Sequence, residues 1–138
     1  MSVEFCDTNV LVYVHDLGAG EKRARAVHLI DGLWERGNGA LSVQVLQELY
    51  VTLTRKLAPP IQPAEARAII ADLTNWTVVA PDGAAVLAAI DASVRWQVSF
   101  WDAMVITAAQ QAGAETIWSE DLSHDQRFGN LTVRNPFA

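Results

Sequence analysis

The stretch VEFCDTNVLVY, from Val3 to Tyr13, decides how the rest of the chain is interpreted. Its apolar residues predict a buried strand followed by a short helix, yet Asp7 stands between them and is followed at once by two polar residues, Thr8 and Asn9. A buried carboxylate without a partner costs several kcal/mol. We therefore expect either backbone and side-chain donors or a cation to stabilise Asp7.

Composition limits the class of protein. The chain has 138 residues, of which 51% are hydrophobic and 19% charged, as expected for one globular domain spanning residues 1–138. Sixteen acidic and ten basic residues give a net charge of −6. A basic surface for nucleic acid is therefore absent overall, and a polyanion would need a local site or a bound metal ion.

The N-terminus and the cysteine content predict a cytoplasmic protein. No basic leader precedes the first apolar stretch, and Glu4 and Asp7 interrupt it, which is atypical of a signal peptide. The apolar runs are shorter than the ~20 residues that span a bilayer, so no membrane association is expected. Cys6 is the only cysteine, and its strand-like surroundings predict a core residue rather than a nucleophile.

Strands and helices alternate along the sequence, which predicts a mainly parallel sheet covered by helices on both faces. Two of the predicted helices have clear apolar spacing. The residues predicted to be buried are Val45, Leu49 and Leu53 in one helix, and Val86, Leu87, Ile90 and Val94 in the other. The predicted strands cover residues 3–6, 40–42, 76–80, 116–118 and 131–134, and the predicted helices cover residues 9–15, 21–36, 44–57, 63–74, 85–96 and 101–112.

Four acids are candidate ligands, and each also has a plain structural interpretation. Asp7 follows the first strand and could simply cap the next helix. Glu48 could lie on a solvated helix face, and Asp102 resembles the acid of a capping box that begins at Ser99. Asp121 could form a turn after a late strand. Ligand sites in parallel sheets gather beyond the carboxyl ends of the strands, where Asp7 and Asp121 are expected to meet.

Four sequence blocks in order resemble the PIN-domain ribonucleases, and within them the VapC-type toxins of bacterial toxin–antitoxin pairs. The resemblance covers essentially the whole chain. The blocks are DTNVLVY (residues 7–13), LQELY (46–50), SFWDAMVITAA (99–109) and WSEDLSHD (118–125).

This resemblance implies a three-layer α/β/α sandwich with a central, mainly parallel sheet and a carboxylate cluster that binds Mg²⁺, or alternatively Mn²⁺, to cut RNA. It also implies a homodimer and a small cognate antitoxin. Many relatives carry a further aspartate where this chain has Ser123, so Glu120 and Asp125 are candidate substitutes at a second metal position. The implied catalytic and metal-binding acids are Asp7, Glu48, Asp102 and Asp121, with Asn9 and Ser119 as supporting polar residues.

A cluster of carboxylates is suited to binding a divalent metal ion that assists hydrolysis. Hard divalent cations prefer oxygen ligands, and they can activate water and stabilise a leaving oxygen. Without metal, clustered carboxylates are expected to raise one another's pKa.

Two other enzyme classes with an early aspartate are excluded by the residues present. Haloacid-dehalogenase-type phosphatases need an acid at the position of Asn9. Response-regulator receivers need a late lysine, whereas the only lysines here are Lys22 and Lys56. The remaining alternative is a catalytically silent PIN-fold binding module.

Overall fold

The chain contains six strands and six helices: a pair of helices separates each of the first three strands from the next, and the last three strands follow one another. The computed structural model describes residues 1–138, and the predicted elements are present with small shifts at their ends. None of the helices combines the length and apolar character needed to cross a membrane. The strands are β1 (Val3–Cys6), β2 (Gly39–Ser42), β3 (Thr77–Val79), β4 (Ala114–Trp118), β5 (Arg127–Phe128) and β6 (Leu131–Arg134), and the helices are α1 (Thr8–His15), α2 (Glu21–Arg36), α3 (Val43–Arg55), α4 (Pro63–Leu73), α5 (Gly83–Trp96) and α6 (Phe100–Gln111).

The strands form one sheet in the order β3-β2-β1-β4-β6-β5. All neighbouring pairs are parallel except β5 with β6, which confirms the mainly parallel sheet. The sequence did not predict β5. This two-residue strand is too short to show a pattern, and it exists because Gly129, at φ +63°, and Asn130 form a tight turn back into β6.

The order of the strands places helices on both faces of the sheet. The chain moves outward from β1 through β2 to β3, then crosses back to β4 on the other side of β1. Because such crossovers are right-handed, α1 to α4 cover one face, and α5 and α6 cover the other. The packing agrees: α1 contacts α2 and α3, whereas α6 contacts β2 and β4. The predicted three-layer α/β/α architecture is therefore confirmed.

The core lies on both faces of the central strands. Phe5 of β1 is beside Ala40 of β2 and Ile117 of β4, and all three are fully buried. Cys6 is also fully buried, and burial raises the pKa of its thiol strongly. The thiol therefore stays protonated at neutral pH, as expected of a core residue.

The predicted buried face of α5 is wrong. The small residues face inward instead, where Ala89 and Ala92 pack with Ala103 and Met104 of α6. Alanine lets two helices approach closely, and this contact leaves the larger apolar side chains of α5 outside. The outward residues and their exposed fractions are Val86 at 38%, Leu87 at 65%, Ile90 at 45% and Val94 at 75%.

Candidate functional site

Three chain segments from distant parts of the sequence meet at the carboxyl edge of the sheet. Asp7 directly follows β1, and its backbone N–H donates to the carbonyl oxygen of Trp118, the last residue of β4, at 2.9 Å. Ser119 and Asp121 continue from that point. Helix α3 starts directly after β2, so its first turns, which carry Glu48, rise from the same edge.

Asp7 is buried and fully hydrogen-bonded within the protein. Its side chain is the N-cap of α1: Oδ1 accepts the backbone N–H of Thr8 at 2.8 Å. Oδ2 accepts the hydroxyl of Ser119 at 2.8 Å. The capping interpretation is therefore correct, and backbone and hydroxyl donors stabilise the carboxylate that interrupts the first apolar stretch.

Burial nevertheless raises the pKa of Asp7 from its ordinary value of 3.8 to about 6. The hydrogen bonds from Ser119 and Thr8 lower this pKa, whereas the charges of Asp121 and Glu48 raise it further. The predicted mutual repulsion is thus present at Asp7, but desolvation is the larger cause. A cation bound beside Asp7 would favour its ionised form.

Asn9 and Ser119 fix the loop that carries Asp121. The Asn9 side chain donates from Nδ2 to Asp121 Oδ2 at 3.0 Å and accepts the backbone N–H of Glu120 at 3.2 Å. The buried Ser119 hydroxyl oxygen accepts the N–H groups of Asp121 at 3.2 Å and Leu122 at 3.4 Å. Both polar residues therefore connect Asp121 to α1 and to Asp7.

Glu48 joins the same network through a residue that the sequence did not single out. The Thr8 hydroxyl donates to Glu48 Oε2 at 2.9 Å, and Gln44 Nε2 donates to Glu48 Oε1 at 2.9 Å. Thr8 stands between two predicted site residues, Asp7 and Asn9, and this position was the signal available. An open hollow of about 630 Å³ lies over this group, and its lining includes Thr8, Asn9, Glu48, Asp121 and Lys56.

Asp102 lies apart from this network. It occupies the first turn of α6, where its backbone N–H donates to the Ser99 hydroxyl at 3.0 Å. Its half-buried carboxylate makes no hydrogen bond and no ion pair. Because α6 leads back into parallel β4, its first turn lies toward the same edge as Asp7. The structure does not bring Asp102 into contact with the other three acids, so its membership of the cluster stays a prediction.

The two candidate substitutes for the second metal position are already engaged by cations. Glu120 accepts from Lys22 and, at 2.8 Å, from the Tyr13 hydroxyl. Asp125 is paired with Arg134 and lies 3.6 Å from His124. Neither carboxylate is free in this structure to replace the absent acid at Ser123.

The donor set suits a hard divalent cation, although the side chains do not yet converge on one point. No group of three or more His, Cys, Asp and Glu side chains is arranged to hold a metal ion. However, Asp7, Glu48, Asp102 and Asp121 supply only oxygen donors, and none of them is in a salt bridge. A buried carboxylate with a raised pKa, two neighbouring acids and no cationic partner fits Mg²⁺ or Mn²⁺.

Comparisons with known proteins agree with this architecture. The family model described as PIN domain matches residues 5–127, whereas no curated protein sequence matches the chain. A toxin–antitoxin complex from Klebsiella pneumoniae has a chain that is similar in structure, with a TM-score of 0.71 and 15% identity over 98% of both chains.

Two further structures share the fold. Mycobacterium tuberculosis VapC20, described as a sarcin–ricin loop cleaving toxin, has a TM-score of 0.66 and 22% identity over 86% of this chain and 91% of its own. Rickettsia felis VapBC2, bound to a promoter DNA fragment, has a TM-score of 0.67 and 14% identity over 96% of this chain and 98% of that chain.

Proposed function

The chain belongs to the PIN domain family, and on this premise we propose that it is a metal-dependent endoribonuclease and the toxin of a VapBC-type toxin–antitoxin pair. The observation that carries the proposal is the group of Asp7, Glu48 and Asp121 at one sheet edge, without a cationic partner. The similarity to a toxin that cleaves the sarcin–ricin loop supports RNA as the substrate. We propose that residues 1–138 act as one domain in the cytoplasm.

The proposed mechanism assigns Asp7, Glu48, Asp102 and Asp121 as the groups that would hold Mg²⁺ or Mn²⁺. The bound ion supplies a more acidic water and stabilisation of charge on the phosphate. Ser119 and Thr8 orient the carboxylate of Asp7. Asn9 orients the carboxylate of Asp121, so two of the proposed ligands are positioned before any metal binds.

The direct test is cleavage of a labelled stem–loop RNA by purified protein with Mn²⁺ or Mg²⁺. We expect cleavage that excess EDTA abolishes and that Asp7→Asn reduces strongly. Asp91→Asn, an exposed aspartate on α5, is the matched control and should cleave like wild type. Cleavage in excess EDTA at the wild-type rate would contradict the metal mechanism, and full activity of Asp7→Asn would contradict the assigned site.

The proposed partner is a small antitoxin, supported by structural similarity to chains from toxin–antitoxin complexes. Expression of the chain alone in bacteria is expected to arrest growth, and Asp102→Asn is expected to relieve the arrest. Normal growth with abundant soluble wild-type protein would contradict the toxin role while leaving the nuclease assay to decide the chemistry. Sedimentation equilibrium tests the proposed homodimer.

The alternative function is a PIN-fold binding module without catalysis. It is disfavoured because all four candidate acids are present, and because none of them is neutralised by a salt bridge. The EDTA-controlled cleavage assay separates the two functions, since a binding module would hold RNA or protein without cutting.

A further inference from the structure

Glu120 is held by two residues from helices on one face of the sheet. Its Oε2 accepts the Tyr13 hydroxyl of α1 at 2.8 Å, and its Oε1 accepts the Lys22 ammonium group of α2. Lys22 also donates to the Tyr13 hydroxyl oxygen at 3.4 Å. These contacts connect two early helices to a residue that lies 98 positions after Lys22 and 107 positions after Tyr13.

Lys22 is itself held in place. Its ammonium group lies 5.2 Å from the centre of the Tyr13 ring and 5.5 Å from that of Phe137. The two rings pack edge to face with centres 5.0 Å apart. An isolated surface ion pair contributes little, but a cation fixed by a carboxylate, a hydroxyl and two rings belongs to a network with defined geometry.

Glu120 directly precedes Asp121 in the loop that the site depends on. The backbone N–H of Glu120 donates to Asn9 Oδ1, and the next two N–H groups donate to the Ser119 hydroxyl oxygen. The Glu120 side chain points toward Tyr13 and Lys22, while the Asp121 side chain accepts from Asn9. Anchoring Glu120 therefore sets the direction of the backbone that presents Asp121.

Without Lys22, Glu120 would be an additional uncompensated carboxylate directly before Asp121 in the chain. Like charges repel, so Glu120 would then favour a loop conformation that moves its carboxylate away from Asp121. Lys22 is the only cation that pairs with a residue of the Ser119–Leu122 segment.

We propose that Lys22 is a positioning residue for Asp121, acting with Tyr13 through the Glu120 carboxylate to hold the loop of residues 119–122. The role in catalysis rests on the proposed nuclease function, whereas the role in ordering the loop does not. Lys22 touches neither the metal ligands nor the reacting phosphate in this scheme.

The first measurement is backbone hydrogen exchange of residues 119–122 in the metal-free protein. Lys22→Met is expected to speed exchange of the Glu120, Asp121 and Leu122 amides by about tenfold, with little change in the central strands. Lys22→Arg should restore most of the protection because it keeps the charge. Arg67→Met, which removes an exposed cation from α4, is the control and should exchange like wild type. Unchanged exchange in Lys22→Met overturns the proposal.

The second measurement separates positioning from direct RNA binding. A positioning role predicts that Lys22→Met lowers kcat by about tenfold, as for residues that support metal ligands, with KM within about twofold of wild type. Glu120→Gln should cause a similar loss, and the double variant should be no worse than either single one. A raised KM with unchanged kcat in Lys22→Met, together with unimpaired Glu120→Gln, would instead show that Lys22 contacts RNA and would overturn the proposal.

Together, these measurements distinguish failure of the positioning role from failure of the proposed nuclease function. If wild type neither cuts RNA nor binds Mn²⁺, the nuclease assignment falls, and the exchange rates still decide whether Lys22 orders the loop. If wild type cuts RNA and Lys22→Met leaves both exchange and kcat unchanged, the nuclease assignment stands and the positioning role is wrong.

Discussion

Asp7 and Asp102 are predicted to serve the same metal site, yet their surroundings are opposite. Asp7 is 8% exposed, and both of its carboxylate oxygens accept hydrogen bonds. Asp102 is half-buried in a first helical turn, and its carboxylate has no donor. The Asp7 carboxylate is therefore held in one orientation before metal binds, whereas no hydrogen bond holds the Asp102 carboxylate. Substitution of Asp7 should therefore change the free energy of unfolding strongly, and substitution of Asp102 should change it weakly, although both are proposed metal ligands.

The largest expected effect is the loss of RNA cleavage in Asp7→Asn. Replacing the central ligand should reduce the rate by at least about 100-fold, the upper end of the range for groups that merely support ligands. Single-turnover cleavage with saturating Mn²⁺ measures it. A loss of less than about threefold would mean that Asp7 is a helix cap without a catalytic role.

The second-largest effect is expected in the pH dependence of the free energy of unfolding, to which Asp7 should contribute and Asp102 should not. The folded pKa of Asp7, about 6, lies above its ordinary value of 3.8, so the native state binds more protons than the unfolded state between these values. The stability of the metal-free protein should therefore fall as pH rises from about 4 to 7, by at most about 3 kcal/mol from this group.

Urea unfolding in EDTA at pH 4.5 and 7.5 measures this effect. The difference between the two pH values should shrink in Asp7→Asn and persist in Asp102→Asn. Identical pH dependence in wild type and Asp7→Asn would show that the buried Asp7 carboxyl is not the titrating group.

A smaller loss of stability is expected from Ser119→Ala. The change removes the hydroxyl that donates to Asp7 Oδ2 and accepts two loop amides. A hydrogen bond to a charged group contributes about 1.5 to 3 kcal/mol, so the free energy of unfolding at pH 7.5 should fall by about that amount. Ser123→Ala is the control, because Ser123 lies in the same region and its side chain makes no hydrogen bond. Equal stabilities of the two variants would contradict the assigned role of Ser119.

The smallest effect on stability is expected from Asp102→Asn. Its carboxylate has no hydrogen bond to lose, so only its favourable position at the N-terminus of α6 changes, which is worth no more than about 1 kcal/mol. The stabilisation that Mn²⁺ gives should nevertheless be reduced if Asp102 turns toward the ion. Calorimetry with and without Mn²⁺ tests this, and an undiminished metal response would remove Asp102 from the ligand set.

A comparison of α3 with α5 shows how far helical spacing predicts burial. In α3, Val45, Leu49 and Leu53 are fully buried as predicted, because this helix packs against α1, α4 and β2. The same spacing failed in α5, because that helix packs on α6 through alanines. Periodicity identifies a face, but the size of the neighbouring residues decides which face is inside.

The features of the site that depend on neighbouring residues in the sequence were predictable, whereas its long-range contacts were not. The strand-to-helix transition at Asp7 and the order of the elements were sufficient to place Asp7 and Asp121 at one edge. The hydroxyl of Thr8 on Glu48 and the pairing of Lys22 with Glu120 were not predictable. They join residues 40 and 98 positions apart, and only the packed fold brings such partners within hydrogen-bonding distance.

The most direct test of the metal site is isothermal titration of Mn²⁺ into EDTA-treated, dialysed protein at pH 7.5. Wild type and the control Asp91→Asn are expected to bind Mn²⁺ with the same affinity, and Asp7→Asn is expected to bind at least about tenfold more weakly. Equal affinity in wild type and Asp7→Asn, or no binding by wild type, would contradict a metal site built on Asp7 at the carboxyl edge of the sheet.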